Sequence, residues 1–287
     1  MVLVKAQLDF GPRVPGTEAA RKTGDWIVAE LKKRVDSVDE QRFYYHGPAG
    51  DSVPMRNIIA HINPKLTQRV LYVTHWDTRP RADSDPNLGN RKLPIPGAND
   101  GAAGVAMLIE VASALRKTPA NVGVDLLFVD GEDWGSFDNY NADSPPANPE
   151  VLIGSTYFAD HLAPGYKPLY GVLWDMIGDQ YLDIQQEPHS VAQAPEVVAR
   201  VWQAAADLGY GKYFQSKSYG YVITDDHVPL LKRGLHVIDV IDLNYGPPDS
   251  FGNPFPNYHH TMQDTIDKVS ARSLQIVGDV AVALVTK

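Results

Sequence analysis

Apolar residues in this chain follow two rhythms. Short runs at 41–46, 56–62, 69–75, 122–130, 168–175 and 235–242 have the length and composition of strands, and 181–187 has those of a shorter edge strand. Between these runs, apolar residues recur three and four apart, as on one face of a helix. Thr17 stands where an N-cap belongs, and Trp26, Ile27, Ala29 and Leu31 supply an apolar face that lasts to about Lys33. A second helix begins near Gly101 and runs through Met107, Leu108, Val111 and Leu115. Further helices cover 152–162, then Pro195 to Leu208 with Gly209 as the stop, then a short stretch at 226–233. Ser270 caps a last helix that ends near Val285.

Strands that alternate with helices predict an α/β fold, a three-layer α/β/α sandwich whose mixed, mostly parallel sheet carries helices on both faces. The first two strands are close in sequence and should pair antiparallel. With no internal repeat and no linker, residues 1–287 read as a single domain. Three loop-like stretches, 79–97, 138–150 and 244–257, are rich in Pro, Asn, Asp or Gly, and each adjoins a group of polar residues. Long irregular loops in a compact domain are usually functional, so these are expected to wall a pocket.

The polar residues beside them sit where the apolar runs stop. Leu71 to Thr74 leads into His75-Trp76-Asp77, Val124 to Val129 into Asp130-Gly131-Glu132-Asp133, and Tyr170 to Trp174 into Asp175. Open α/β sheets place their sites beyond the carboxyl ends of their strands. An imidazole at position 75 can bind a metal while Asp77 supports its ring from behind, or it can be a structural histidine. Asp100, in Asn99-Asp100-Gly101, can be a ligand or an ordinary helix N-cap. In the adjacent pair Glu132-Asp133, one carboxylate can bind metal while its neighbour moves a proton. Asp175 is a lone charge in an apolar setting. In Tyr258-His259-His260-Thr261 either histidine fits as a ligand. Asp225-Asp226-His227 can be a helix cap, whereas Asp239 interrupts a strand that should be buried and needs a partner.

Composition narrows the chemistry. The chain has no cysteine, which removes thiol nucleophiles, cysteine-ligated zinc and disulfides. A net charge of -9 argues against nucleic acid as a partner. No apolar run approaches a membrane span. The sequence has no Gly-x-Ser-x-Gly elbow, Walker loop or His-Glu-x-x-His, nor a Gly-x-Gly-x-x-Gly after its first strand. What remains is a zinc-type set of nitrogen and oxygen ligands. Compartment stays open: periplasmic or secreted if a leader was removed, otherwise cytoplasmic.

The ordered set His75-x-Asp77, Asn99-Asp100-Gly101, Glu132-Asp133, Asp175 and His260-Thr261 resembles the zinc-dependent aminopeptidase-like exopeptidases and, within them, the glutaminyl cyclases of bacteria and animals. Phe10-Gly11-Pro12-Arg13-Val14-Pro15-Gly16-Thr17 resembles their opening segment. In the exopeptidases the resemblance implies two zinc ions, one on His75, Asp100 and Asp175 and one on Asp100, Asp133 and His260, with Asp100 bridging and Glu132 as general base. In the cyclases it implies only the second ion, with His75 and Asp175 paired to each other and to substrate.

Three features are similar to the cyclase branch: Asp225-Asp226-His227-Val228-Pro229-Leu230 with Arg233-Gly234, Asn253-Pro254-Phe255-Pro256 ahead of His260, and the long Arg79–Pro96 loop. Three positions depart from the animal enzymes: Asp133 stands for a glutamate, His259 for a tryptophan and Asp239 for a histidine. The resemblance implies cyclisation of N-terminal glutaminyl residues on peptides with a free N-terminus, using one zinc. Glu132 would move the proton, and Asp225 and Asp175 would hold the leaving group or the transferred proton, with Asp239 behind them. Trp134, Trp174 and His259 are expected at the substrate pocket, core packing being the other reading of the two tryptophans. The alternative activity is a di-zinc aminopeptidase. A catalytically dead binding domain is disfavoured, because every ligand position and Glu132 are filled.

Overall fold

The computed structural model describes residues 1–48, 50–142, 144–146, 148–249 and 257–286. Its strands are β1 (Ser37–His46), β2 (Ser52–Ile62), β3 (Arg69–His75), β4 (Gly123–Val129), β5 (Tyr170–Asp175), β6 (Ile184–Gln186), β7 (Phe214–Ser218) and β8 (Val237–Ile241). Its α-helices are α1 (Val2–Leu8), α2 (Glu18–Lys32), α3 (Ala102–Lys117), α4 (Ile153–Asp160), α5 (Pro188–Gln193), α6 (Pro195–Asp207), α7 (His227–Lys232) and α8 (Ala271–Thr286).

Six strands form the main sheet in the order β1-β2-β4-β3-β5-β8. β4, β3, β5 and β8 run parallel, while β2 is antiparallel to both β1 and β4. The chain leaves β3 for β4 on one side and later reaches β5 on the other. The crevice beyond β3 is therefore the topological switch point, where such sheets place their sites.

Strand parity decides which side chains reach it. Val70, Tyr72, Leu126, Phe128, Val172, Trp174, Ile238 and Val240 pack against α2, α3, α6 and α8. Leu71, Val73, Leu127, Leu173 and Val237 face the other way, against Phe158 and Ala159 of α4 and Leu230 of α7. Three layers result, as expected. By the same alternation His75, Asp175 and Asp239 point to the α4/α7 side.

Several expectations need correction. The stretch 181–187 does not edge the main sheet; β6 pairs in parallel with β7 in a separate two-stranded ribbon. β1 and β2 begin earlier than their apolar signal, because backbone pairing from Ser37↔His61 to His46↔Ser52 carries through exposed residues. α1, α5 and β7 were not anticipated. Thr17 and Ser270 do cap, their hydroxyls accepting from Ala20 N at 3.2 Å and from Arg272 N at 3.1 Å.

Asp125, the single charge in β4, is answered by a cage. Arg69 Nε donates to it at 2.8 Å and Tyr166 Oη at 2.9 Å, and His61 Nδ1 lies 2.6 Å away. Burial pushes this carboxyl up, but Arg69 and His61 outweigh it and hold it at about 2. A depressed carboxylate stabilises the fold fully above its unfolded value of about 3.9, and loses that contribution as pH falls toward 2. Asp125→Ala should cost about 1–3 kcal/mol at neutral pH, because the half-buried Arg69 would keep its backbone carbonyl partners but lose the carboxylate that balances its charge. Urea denaturation at pH 7 and pH 3 reads both effects. A variant equally destabilised at both pH values would show that lost packing, not charge, is responsible.

Candidate metal centre and active pocket

His75 closes β3, Asp175 closes β5, and Glu132-Asp133 follow β4 after a turn at Gly131, whose φ is +70°. It is the positive φ that calls for glycine there; a Cβ would meet only the flexible end of Met55. Asp100 lies just before α3, yet it does not cap it: the N-cap position is Gly101, and no side chain bonds the first turn. A Cβ on Gly101 would meet the His75 ring at 2.8 Å, so the start of α3 is pressed against that imidazole. His260 adopts a left-handed backbone at φ +56° and Met176 at φ +47°, a costly conformation for residues with a Cβ.

The acidic and imidazole groups meet at the crevice. His75 Nε2 is 3.1 Å from Asp175 Oδ1 and 3.0 Å from Asp100 Oδ1. His260 Nε2 is 3.3 Å from Asp133 Oδ1 and 3.7 Å from Asp100 Oδ2. Asp77 lies 3.4 Å from His75 Nδ1. Its two oxygens also accept from the backbone N–H groups of Glu132 and Asp133, both at 3.2 Å. It therefore positions the carboxylate pair as well as the ring.

Support for Asp100 comes from Asp264, which sequence reasoning missed. Asp264 accepts from Asn99 N at 2.8 Å and Asp100 N at 3.2 Å, and Tyr245 donates to it at 2.7 Å. Asn99 ties the same loop to the end of β5, donating to Met176 O at 3.0 Å and accepting from Gly178 N at 2.7 Å. Arg13, fully buried, donates to the carbonyls of Trp76, Pro96 and Gly97. Arg79 was also missed: its Nη1 lies 2.6 Å from Asp133 Oδ1, and its other arm grips Asp83. Apart from the Arg79–Asp83 and Tyr245–Asp264 pairs, these partners are 54 to 165 residues apart in sequence, so no local pattern announces them.

Negative charge dominates the cluster. Asp77, Asp100, Glu132, Asp133, Asp175, Asp225, Asp226 and Asp239 are all buried, against Arg13, Arg79 and the imidazoles of His75 and His227, with His260 half-buried. Burial, with the Asp133 charge next, pushes the Glu132 carboxyl well above the usual range. Burial and Asp175 do the same to Asp225, and burial raises Asp226 to about 7. Burial would raise Asp133 too, but His260 and Arg79 hold it below the ordinary range. Asp100 Oδ2 and Asp133 Oδ2 are buried with no hydrogen-bond partner. Orphaned carboxylate oxygens beside an imidazole are what a divalent cation would satisfy. Among the described residues, two triads have ligand atoms close enough together to share an ion, Asp100 with His259 and His260, and His75 with Asp100 and Asp175.

A cavity of about 510 Å³ opens over this cluster. Asp100, Glu132, Asp175, Asp225, His259 and His260 reach its wall, while Met176, Ile223 and Leu243 give it an apolar side. His259 lines this cavity, its ring 3.6 Å from that of His260 between centroids. The tryptophans do not. Trp174 shares the parity of Tyr72 and packs edge-on against it at 5.6 Å, inside the helix-covered core. Trp134 leans on the cluster of Tyr45, Val53, Met55 and Ile153 behind the loop.

Behind the pocket, Asp225 and Asp226 precede α7 without capping it by side chain. Asp226 instead accepts from Ser155 Oγ at 2.5 Å. Asp239 lies 3.9 Å from His227 Nδ1, and both of its oxygens lack a hydrogen-bond partner. Glu187, at the start of α5, faces His227 Nε2 at 3.4 Å. Asn253-Pro254-Phe255-Pro256 lies outside the described residues. Among those described, no helix is long and apolar enough to cross a membrane.

The model of Peptidase family M28 matches residues 57–285. The glutaminyl-peptide cyclotransferase of Bos taurus is 26% identical over 301 residues, covering 92% of this chain and 74% of that protein. The solved structure of Porphyromonas gingivalis glutaminyl cyclase is 38% identical, covers 99% of this chain and 95% of that one, and superposes with a TM-score of 0.87. A leucine aminopeptidase precursor from Bacteroides thetaiotaomicron VPI-5482 is 33% identical over 100% of this chain and 95% of its own, with a TM-score of 0.89.

Proposed function

The chain belongs to peptidase family M28, and from that premise we propose that it cyclises N-terminal glutaminyl residues of peptides to pyroglutamate, releasing ammonia. Similarity to glutaminyl cyclases along nearly the whole chain supports this reading. The observation that carries it is an asymmetry in the cluster. His75 and Asp175 already engage each other at 3.1 Å, and Asp175 Oδ1 also accepts from Met176 N at 2.9 Å. Asp100 Oδ2 and Asp133 Oδ2, by contrast, are left without partners near His260. One zinc on Asp100 and His260, with Asp133 beside them, fits that pattern; the ligand atoms of Asp100, His259 and His260 already lie together, while Asp133 keeps one oxygen on Arg79 and its other free for the ion. When bound, it would supply Lewis acidity toward the γ-carbonyl oxygen and the charge that develops there.

The chain's own residues do the rest. The substrate's α-amine attacks its own γ-carbonyl carbon, so the pocket's main task is to hold a folded-back conformer. Glu132 takes a proton from the amine as the new C–N bond forms. It returns that proton to the amide nitrogen as the old C–N bond breaks, and ammonia leaves. A carboxyl pushed up by burial is suited to both halves of this transfer near neutral pH. Asp225 and Asp175, at the same wall, hold the leaving nitrogen. Asp239, buried behind them 3.9 Å from His227 Nδ1, backs this wall of the pocket as a positioning residue.

The second reading, a di-zinc aminopeptidase, draws on the His75, Asp100 and Asp175 triad, whose atoms also come within reach of one ion. Mass spectrometry of a Gln-initiated peptide incubated with the zinc-loaded protein separates the two. Loss of one ammonia from an otherwise intact peptide is expected. Release of the first amino acid would instead make this a peptidase.

A further inference from the structure

Two cavities meet at the mouth of the active pocket. The second, of about 540 Å³, shares Asp138, Val222 and Thr224 with the first, so the two form one depression with a ridge between them. Val222 stands on that ridge and Tyr221 beside it on the side of the first cavity, 54% and 60% exposed. A single exposed apolar side chain means little, but two neighbours at the lip of a pocket make a contact surface. The far cavity has a different character. Its lining adds Tyr140, Asn141, Ala142 and His189, and its formal charge is the exposed carboxylate of Asp138. Among the described residues no lysine or arginine lines it. Arg79, in the first cavity, is already bound to Asp83 and Asp133.

We propose that this depression is an extended peptide site that selects substrates by their second and third residues. The inference rests on the cyclisation reading for what happens in the first cavity. With the glutaminyl residue there, an apolar second residue lies on Tyr221 and Val222. The chain advances ~3.3 Å per residue when extended, so the third side chain stands ~7 Å further on. There it enters the far cavity, where Asp138 favours arginine or lysine. The preferred substrate is therefore a peptide beginning Gln, then an apolar residue, then a basic one, rather than free glutamine or a glutaminyl dipeptide.

The test compares kcat/KM for Gln-Leu-Arg-amide, Gln-Leu-Ala-amide and Gln-Leu-Glu-amide on the zinc-loaded protein, following both ammonia and free glutamine. The arginine peptide should exceed the glutamate peptide about fivefold, through KM rather than kcat, the scale of a partly exposed ion pair. Asp138→Lys should reverse the order. Glu110→Lys, on the exposed face of α3, alters net charge equally and should leave the order unchanged. Equal rates for the arginine and glutamate peptides would overturn the proposal. So would equal shifts in the two variants, which would reveal only the long-range field of a chain with net charge -9. Calorimetric binding of the same peptides to Glu132→Gln reads the selectivity without turnover. Failure of the cyclisation reading is a separate outcome, seen as glutamine release in place of ammonia.

Discussion

Glu132→Gln is expected to lower kcat about a hundred- to ten-thousandfold while leaving the fold and the bound metal in place. The substitution keeps the size and shape of the side chain and removes only its ability to take a proton. Its backbone N–H stays on Asp77, and Asp100, Asp133 and His260 are untouched. Because a general base works deprotonated, a carboxyl raised by burial should move the acid limb of the parent's kcat profile above the ordinary carboxylate range. Metal content by elemental analysis, beside kcat for a Gln-initiated peptide, separates the outcomes. A variant with full metal and near-parental kcat would remove Glu132 from the proton transfer. One that loses metal would show that this side chain also shapes the ligand set.

Much of this site was legible because strand ends and site residues coincide. The apolar runs into His75, Glu132-Asp133 and Asp175 located the crevice, and the parallel order of β4, β3, β5 and β8 follows from helices between them. The same logic separates the two readings of Trp174. It shares parity with Tyr170 and Val172, which pack toward the helix layer of α3 and α8, whereas Asp175 turns with Leu173 toward α4 and α7. Other features were beyond any local pattern. β7 is built on Phe214 followed by polar, mostly exposed residues, and it exists because β6 offers it a backbone partner. Asp264 and Arg79 act on Asp100 and Asp133 across loops, and only the folded chain brings them together. Asp100 showed the ambiguity most clearly. Sequence could not separate a helix cap from a ligand; the first turn of α3 is left uncapped and Asp100 Oδ2 has no partner, which argues against the cap and supports the ligand role proposed above.

Removal of bound metal by a chelator should abolish cyclisation, and zinc should restore it at about one equivalent per chain. The stoichiometry follows from which atoms lack partners. An ion beside His260 would satisfy Asp100 Oδ2 and Asp133 Oδ2, while His75 and Asp175 already answer each other. Stability should follow the metal as well. A ligand that binds only the folded chain adds about 4 kcal/mol at a thousand times its dissociation constant. The metal-free protein should therefore melt earlier, with its buried carboxylates repelling one another uncompensated. His75→Ala sharpens the reading, since it should leave one zinc bound while lowering turnover through the loss of Asp175's partner. Should activity return only at the second equivalent, with His75→Ala losing one of two ions, His75 and Asp175 are ligands. The pocket would then be that of an aminopeptidase with an activated water between its metals.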